Sequence, residues 1–315
     1  MMMTWENLAE YIRKRPGMFF GESGPDGLPR FFLFLIKGIL SQAPEGYGGP
    51  VEVVVSDKGK GQEFRVSFQG LQLLSVAISG LQDLDGHLWK LSQCELSCVP
   101  SASSSCVVET SDGEHKTTLR WKSGLPGKPK CVRFEGSSFV KLTLQPEQQI
   151  FQTLQHDQIY KMAGILRDYS LLRPQLATVL RSRMLGREIR YFYKEGIKSY
   201  LMESDYQRWP LHPGCLHFKR SEGGLSVEGC LRFLHAGSAY VQSYANYHPT
   251  QGGTHVEGLA AALKDLFGPE ARGCRDVLFL TNPDTGQKVF LPACCIGVVH
   301  FQCPEPRYQG PTKDI

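Results

Sequence analysis

Cysteine is the residue type with the most latent chemistry here, with ten in 315 residues. Structural zinc takes closely spaced thiolate pairs. Cys94 and Cys98 are four apart, Cys294 and Cys295 adjoin, and no Cys-x-x-Cys occurs. The spacing points to scattered, reduced, mostly buried thiols, so no metal site is assigned. Two basic runs could meet a polyanion: Lys122, Lys128, Lys130 and Arg133, then Arg181, Arg183, Arg187 and Arg190. Such runs are usually solvated faces, and a net charge of +4 does not by itself demand nucleic acid. The third stretch is Gly252-Gly253-Thr254-His255-Val256-Glu257-Gly258. Its paired glycines open backbone angles closed to other residues. Thr254 is then a fitting N-cap, and Glu257 completes a capping box. Val256, Leu259, Ala260, Leu263 and Leu266 form one apolar face.

The elements that would position these residues read as follows. A helix covers 5–15, with Trp5, Leu8, Ala9 and Ile12 on one side, and Pro16-Gly17 is a turn pair. Residues 27–41 are apolar nearly all round, which predicts a buried core helix. Strands are expected at 51–55 and 64–68 around a Lys58–Gly61 turn, and 71–91 is ambiguous. Pro100 to Ser105 reads as a loop, 106–110 and 115–121 as a hairpin around Asp112-Gly113, and Pro126 to Pro129 as a loop. Strand, turn and strand follow over 131–143, then helix at 148–171 and a short helical segment at 174–182. A strand at 187–193, a helix from Gly196 and a linker at 208–213 lead to strands at 214–220, 225–233 and 238–245. The Gly252–Gly258 helix and strands at 276–281, 288–291 and 295–302 close the pattern.

Four anchors share one resemblance. Gly252-Gly-Thr-His-Val-Glu-Gly258 resembles the Gly-Gly-Thr-His-x-x-Gly signature of the transducer domain in DNA gyrase B and its topoisomerase IV counterpart. Arg13-Lys-Arg-Pro-Gly-Met-Phe-Phe-Gly21, containing Arg15, Pro16 and Gly17, is similar to that family's opening Arg-Lys-Arg-Pro-Gly-Met-Tyr-Ile-Gly. Tyr193-Lys-Glu-Gly-Ile-Lys-Ser-Tyr200 resembles the segment joining its two domains. At the end, Thr312 and Lys313 match its Gln-Thr-Lys loop, with Pro311 where the Gln belongs. The resemblance implies an α+β chain: a GHKL-type α/β sandwich over 1–207, then a transducer domain of βαβ type over 208–315.

It also implies a nucleotide site. In that family the first long helix carries a water-polarising Glu and, four residues on, a magnesium-binding Asn. A strand end carries Asp-Gly-x-Gly for the adenine. A Gly-rich lid and a Gly-Thr pair complete the pocket. Spacing by four puts Glu and Asn on one helix face; magnesium takes oxygen ligands, and phosphoryl transfer to water needs a positioned carboxylate. Aligned from Gly27-Leu28, this chain has Phe34 at the Glu position and Gly38 at the Asn position, with Ser41 and Gln42 for the next acidic pair. The nearest carboxylates, Asp26 and Glu45, are poor replacements. The adenine-reading Asp becomes Phe68 or Gln69, and Gly70 survives. Residues 79–92 hold only Gly80 and Gly86, so the lid has no counterpart. Gly136-Ser137-Ser138 is a remnant of the Gly-Thr pair, and Lys313 matches the lysine that reaches the γ-phosphate.

The resulting expectation is a non-catalytic relative of the ATPase and transducer unit, a binding or regulatory module needing no cofactor. Its partner would be a topoisomerase subunit or a second copy of the chain. An ATP- and magnesium-using enzyme would need a displaced acid such as Asp83 or Asp85, and a DNA-binding module is a further alternative. No exchanging arm precedes Trp5 and no cleavage domain follows residue 315, so this chain alone is not expected to cut DNA. No apolar run approaches the length of a membrane helix, about 18 residues, and no signal peptide opens the chain. A cytoplasmic location follows by default.

Overall fold

A computed structural model describes residues 5–21, 24–44, 46–57, 62–71, 91–203, 210–235, 240–250, 252–267, 277–281, 288–292 and 295–304. The expected turn at 58–61, the ambiguous stretch at 71–91 apart from Leu71 and Leu91, and Lys313 lie outside these. Two compact units divide the chain, Met1–Phe192 and Tyr193–Ile315.

The first unit opens with α1 (Trp5–Lys14), α2 (Pro16–Phe20) and, after a 3-10 turn at Pro25–Gly27, α3 (Leu28–Leu40). Leu8, Ala9 and Ile12 are buried, as the helical spacing predicts. Pro16-Gly17 is not a bare turn. Pro16 opens a five-residue helix, a place where its missing N–H costs nothing. Ten of the thirteen residues of α3 are buried. The helix packs on α4 (Leu91–Ser101) and α6 (His156–Leu172).

These helices back a sheet of nine strands among the described residues. They are β1 (Val51–Asp57), β2 (Gln62–Gln69), β3 (Ser103–Ser111), β4 (His115–Lys122), β5 (Leu125–Pro126), β6 (Lys130–Arg133), β7 (Phe139–Pro146), β8 (Thr178–Ser182) and β9 (Arg187–Tyr191). The order is β5-β4-β3-β7-β2-β1-β8-β9, with β6 also on β4. Alternation is clear: Val51, Val53, Val55, Phe64, Val66 and Phe68 are buried.

Four expectations change here. Pro100 to Ser105 is not a loop, because α4 runs through Pro100 and β3 starts at Ser103. Pro100 falls in the last turn, and the Ser103 hydroxyl donates to the Val99 carbonyl at 2.7 Å. Residues 178–182 are strand rather than helix, since Thr178–Ser182 pair parallel to Val51–Val55 and complete the sheet beside β1. Gln175 at φ 70° stops any helix before it. The long helix over 148–171 is two, α5 (Gln148–Phe151) and α6, broken where Gln152 takes φ 55°. Pro126, expected in a loop, pairs with Trp121.

The second unit starts with α7 (Ile197–Glu203), which packs on strands of this unit and so groups with it rather than with residues 1–192. Its sheet has the order β10-β11-β16-β12-β13, from β10 (Leu216–Glu222), β11 (Leu225–Phe233), β12 (Tyr240–Ala245), β13 (His248–Thr250) and β16 (Cys295–Gln302). A hairpin of β14 (Val277–Thr281) and β15 (Lys288–Pro292) precedes β16. β12 and β16 are parallel, and α8 (Thr254–Phe267) lies in the connection between them, which is the expected βαβ arrangement.

The α8 start differs in detail. The helix begins at Thr254, and the carbonyl of Gly253 accepts from the Val256 and Glu257 N–H groups at 2.9 and 3.1 Å. Gly253, at φ 118°, therefore turns the chain into the helix one residue before the expected cap. Val256, Leu259, Ala260 and Leu263 pack with Leu231, Cys295 and Val299. Leu266 is 68% exposed and not part of that face.

His300, 5% exposed, donates from Nε2 to the Asn246 carbonyl at 2.6 Å. Burial pushes its pKa down to about 4, and the hydrogen bond and Glu228 only partly oppose that. The imidazole folds neutral and an unfolded histidine titrates near ~6.5. Its contribution to stability is therefore present above that value and is lost as pH falls toward 4. Denaturant titrations between pH 7 and 4 should lose up to about 3 kcal/mol through this group. His300→Gln should flatten the profile, and an unchanged profile would refute the assignment.

Candidate functional site

The positions that the resemblance assigns to a nucleotide site sit on α3 and at the ends of β2 and β7. Phe34 is 5% exposed. Its ring lies 5.8 Å from Phe20, which in turn stands 5.9 Å from Phe31 and 5.1 Å from Phe151. The Arg30 guanidinium lies 5.8 Å from the Phe34 ring centre. Four buried rings of this kind contribute about 2 kcal/mol each through apolar burial. One turn on, a Cβ at Gly38 would stand 2.7 Å from Leu96 Cβ, inside contact distance. The α3–α4 approach thus depends on the missing side chain.

The polar residues beyond Gly38 turn back on the helix. Ser41 Oγ and Gln42 Nε2 both donate to the Gly38 carbonyl, at 3.2 and 2.8 Å. Arg173 donates to the carbonyls of Leu40 and Pro44, at 2.6 and 3.0 Å, satisfying acceptors at the helix C-terminus. Asp26, one of the nearest carboxylates, accepts from Lys161 and Gln158 at 2.8 and 3.1 Å. The Lys161 contact, with help from Gln158, holds its pKa below the usual value. Glu45, Asp83 and Asp85 lie outside the described residues.

At the end of β2, Phe68 is fully buried between Val51 and Val140 in the ladder. Gln69 accepts at its carbonyl from the Tyr47 hydroxyl, 3.0 Å away, and burial pushes that phenol up to about 12. Gly70 and Ser138 are brought together, the Gly70 N–H donating to the Ser138 carbonyl at 2.9 Å. Ser137 is exposed beside them. Arg15 sits over the Tyr11 ring at 5.8 Å and accepts at its carbonyl from Met18 N–H, while Gly17 is exposed with open space around it. Phe20, Phe151, Leu96 and Arg173 were not singled out by sequence. Only Phe20, within Phe19-Phe20 of the opening motif, left a readable signal.

In the second unit Gly252 is buried. His255 Nε2 is 3.2 Å from Thr250 Oγ1, its ring stacks on Phe301 with centroids 6.1 Å apart, and burial lowers its pKa. These contacts make the Gly-Gly-Thr-His turn a structural device. A cleft of about 490 Å³ opens between α8 and the sheet, with Leu216, Phe218, Phe301 and the exposed Leu266 in its walls. Of the basic runs, Lys122, Lys128 and Lys130 are exposed. Arg181 and Arg190 instead bind Glu188. No helix among the described residues is long and apolar enough to cross a membrane.

Comparison with known proteins places this geometry. The DNA gyrase B family model matches residues 196–315. The chain is 24% identical to the DNA gyrase B protein of Chlamydia muridarum over 96% of its own length and 41% of that protein. It is 26% identical to the Synechocystis gyrase B protein over 96% and 30%. The chain thus spans about half or less of the length of the curated relatives it matches. Among solved structures, the gyrase B-subunit of Myxococcus xanthus superposes with a TM-score of 0.76 at 20% identity, covering 97% of this chain and 89% of that one. The 43K ATPase domain of Thermus thermophilus gyrase B, in complex with an aminocoumarin, gives 0.71 at 20% identity, over 96% and 82%.

The Gly38 contact can be tested directly. Gly38→Ala gains about 1 kcal/mol of helix propensity, yet the clash should make it net destabilising by ~1–3 kcal/mol in urea unfolding. Leu96→Ala alone should cost ~2–5 kcal/mol, and the double variant less than the sum. A Gly38→Ala protein as stable as the parent would show that the crossing is not tight.

Proposed function

We propose that this chain, which carries the ATPase-plus-transducer fold of DNA gyrase B, is a non-catalytic relative of that unit. It serves as a binding or regulatory module, through a topoisomerase subunit or a second copy of itself. One observation carries the reading. The positions where the resembled ATPases hold a water-polarising Glu and a magnesium-binding Asn are Phe34, inside a cluster of buried rings, and Gly38, against Leu96.

Hydrolysis of a phosphoanhydride needs an oxygen base near the water and oxygen ligands for the metal. A phenyl ring offers neither, and glycine has no side chain to offer. Ser41 and Gln42 have oxygen or amide groups, but both donate to the α3 backbone. Asp26 is held by Lys161 and Gln158. These residues do not fit a magnesium nucleotide. Gly70 and Ser138 are then remnants with backbone roles, and Ser137 is exposed beside them.

Equilibrium dialysis of the full chain with labelled ATP and magnesium should give binding no tighter than millimolar, with no phosphate release. Micromolar binding with turnover would establish the alternative, an ATPase with a displaced acid.

A second reading, compatible with the first, is contact with DNA. It is favoured by Arg120, Lys122, Lys128 and Lys130, which are exposed and have no acidic partner among the described residues. If it holds, DNA affinity should fall steeply with added salt and weaken on Lys122→Ala with Lys130→Ala. Salt-independent or undetectable binding would dismiss it.

A further inference from the structure

The second unit carries a cysteine pair that the proposed function leaves unused. β10 and β11 pair antiparallel with Leu216 opposite Leu231 and His217 opposite Cys230. Cys215 immediately precedes the first paired residue of β10, and one further step of that register would set it opposite Arg232. Side chains alternate along a strand, so Cys215 and Cys230 share one face at neighbouring diagonal positions. This is the face away from α8, which packs on Leu231. Cys230 is buried, Cys215 is partly exposed, and both are reduced. The Cys215 sulfur interacts with the Cys230 thiol, and Lys198, on α7, lies close enough to act electrostatically on both.

We infer that Cys215 and Cys230 form a thiol modification site, taking a hydroperoxide as oxidant and closing a reversible cross-strand disulfide. Cys215 is the attacking sulfur because solvent reaches it, whereas Cys230 is buried. The Cys215 thiolate attacks hydrogen peroxide. An S–O bond forms, the O–O bond breaks, and hydroxide leaves to be protonated by solvent. The Cys230 sulfur then attacks the sulfenic sulfur. The S–S bond forms, the S–O bond breaks, and the departing hydroxide takes the Cys230 proton as water. Two thiols supply two electrons, and one peroxide becomes two waters.

An adjacent second thiol is what diverts a sulfenic acid from further oxidation. Burial raises the Cys230 thiol, which keeps it protonated and unreactive toward oxidant until Cys215 presents an electrophile. The bond would tie the start of β10, the sheet's edge strand, to its neighbour. A shared metal is a poor competitor: among the described residues no group of three or more His, Cys, Asp or Glu could hold an ion.

The test uses the full chain, reduced, exposed briefly to hydrogen peroxide, blocked with N-ethylmaleimide and digested with trypsin without reductant. The expected product is the peptide 209–219 linked to 221–232, lost on adding dithiothreitol. Cys215→Ser should leave Cys230 as a free thiol. Cys230→Ser should leave Cys215 trapped by dimedone several-fold above the parent. If that buried substitution prevents folding, the parent peptide map and Cys215→Ser decide the matter. Cys215 converted to sulfinic acid without the link, or both thiols still alkylated while other cysteines are oxidised, would overturn the inference.

Discussion

The first unit depends on one dry contact, the seating of α3 against α4 and the ring cluster. A helix this apolar has no stable place at a surface, so its burial drives the layer of helices onto the sheet. The contact works because Gly38 leaves room for Leu96 and because Phe20 and Phe151, from α2 and α5, close around Phe31 and Phe34. The same packing leaves no side-chain oxygen at Phe34 or Gly38 on that face.

The rest of that unit serves the helix. Arg173, at the end of α6, satisfies two carbonyls where α3 ends. β8 beside β1 extends the sheet that backs the helical layer. On the open face of the sheet, charges pair across strands, as Arg181 does with Glu188 and Glu52 and Lys116 with Glu109. Such exposed pairs contribute little to stability individually. They keep the face wet while the opposite face stays apolar.

Much of this was legible in the sequence. The strands expected at 51–55, 64–68, 106–110, 115–121, 225–233 and 295–302 correspond to β1, β2, β3, β4, β11 and β16, and an all-round apolar run gave α3. The Gly-Gly-Thr-His turn announced α8 within one residue. The misreadings share a cause, which is that local composition was overruled by distant partners. Ser103 looks like loop until the Val99 carbonyl takes its hydroxyl, and Thr178–Ser182 looks helical until β1 offers a parallel edge. Positions 34 and 38 could be flagged by alignment. That Leu96 fills the space beside Gly38 could not, because nothing near residue 38 in the chain announces residue 96. Leu266 fits the helical spacing of the buried face, yet it points to the cleft.

The strand order of the second sheet bears on how the chain can be made. β16 lies between β11 and β12, although it is the last strand of that sheet to leave the ribosome. Until residues 295–302 emerge, β11 and β12 each have a vacant side, and unpaired strand edges invite pairing with other chains. The sheet cannot zip up progressively from its N-terminal strands. It must wait for a long-range closure, which is the slow kind. A nascent or truncated product ending before Cys295 would therefore need a chaperone's shelter that the finished unit does not.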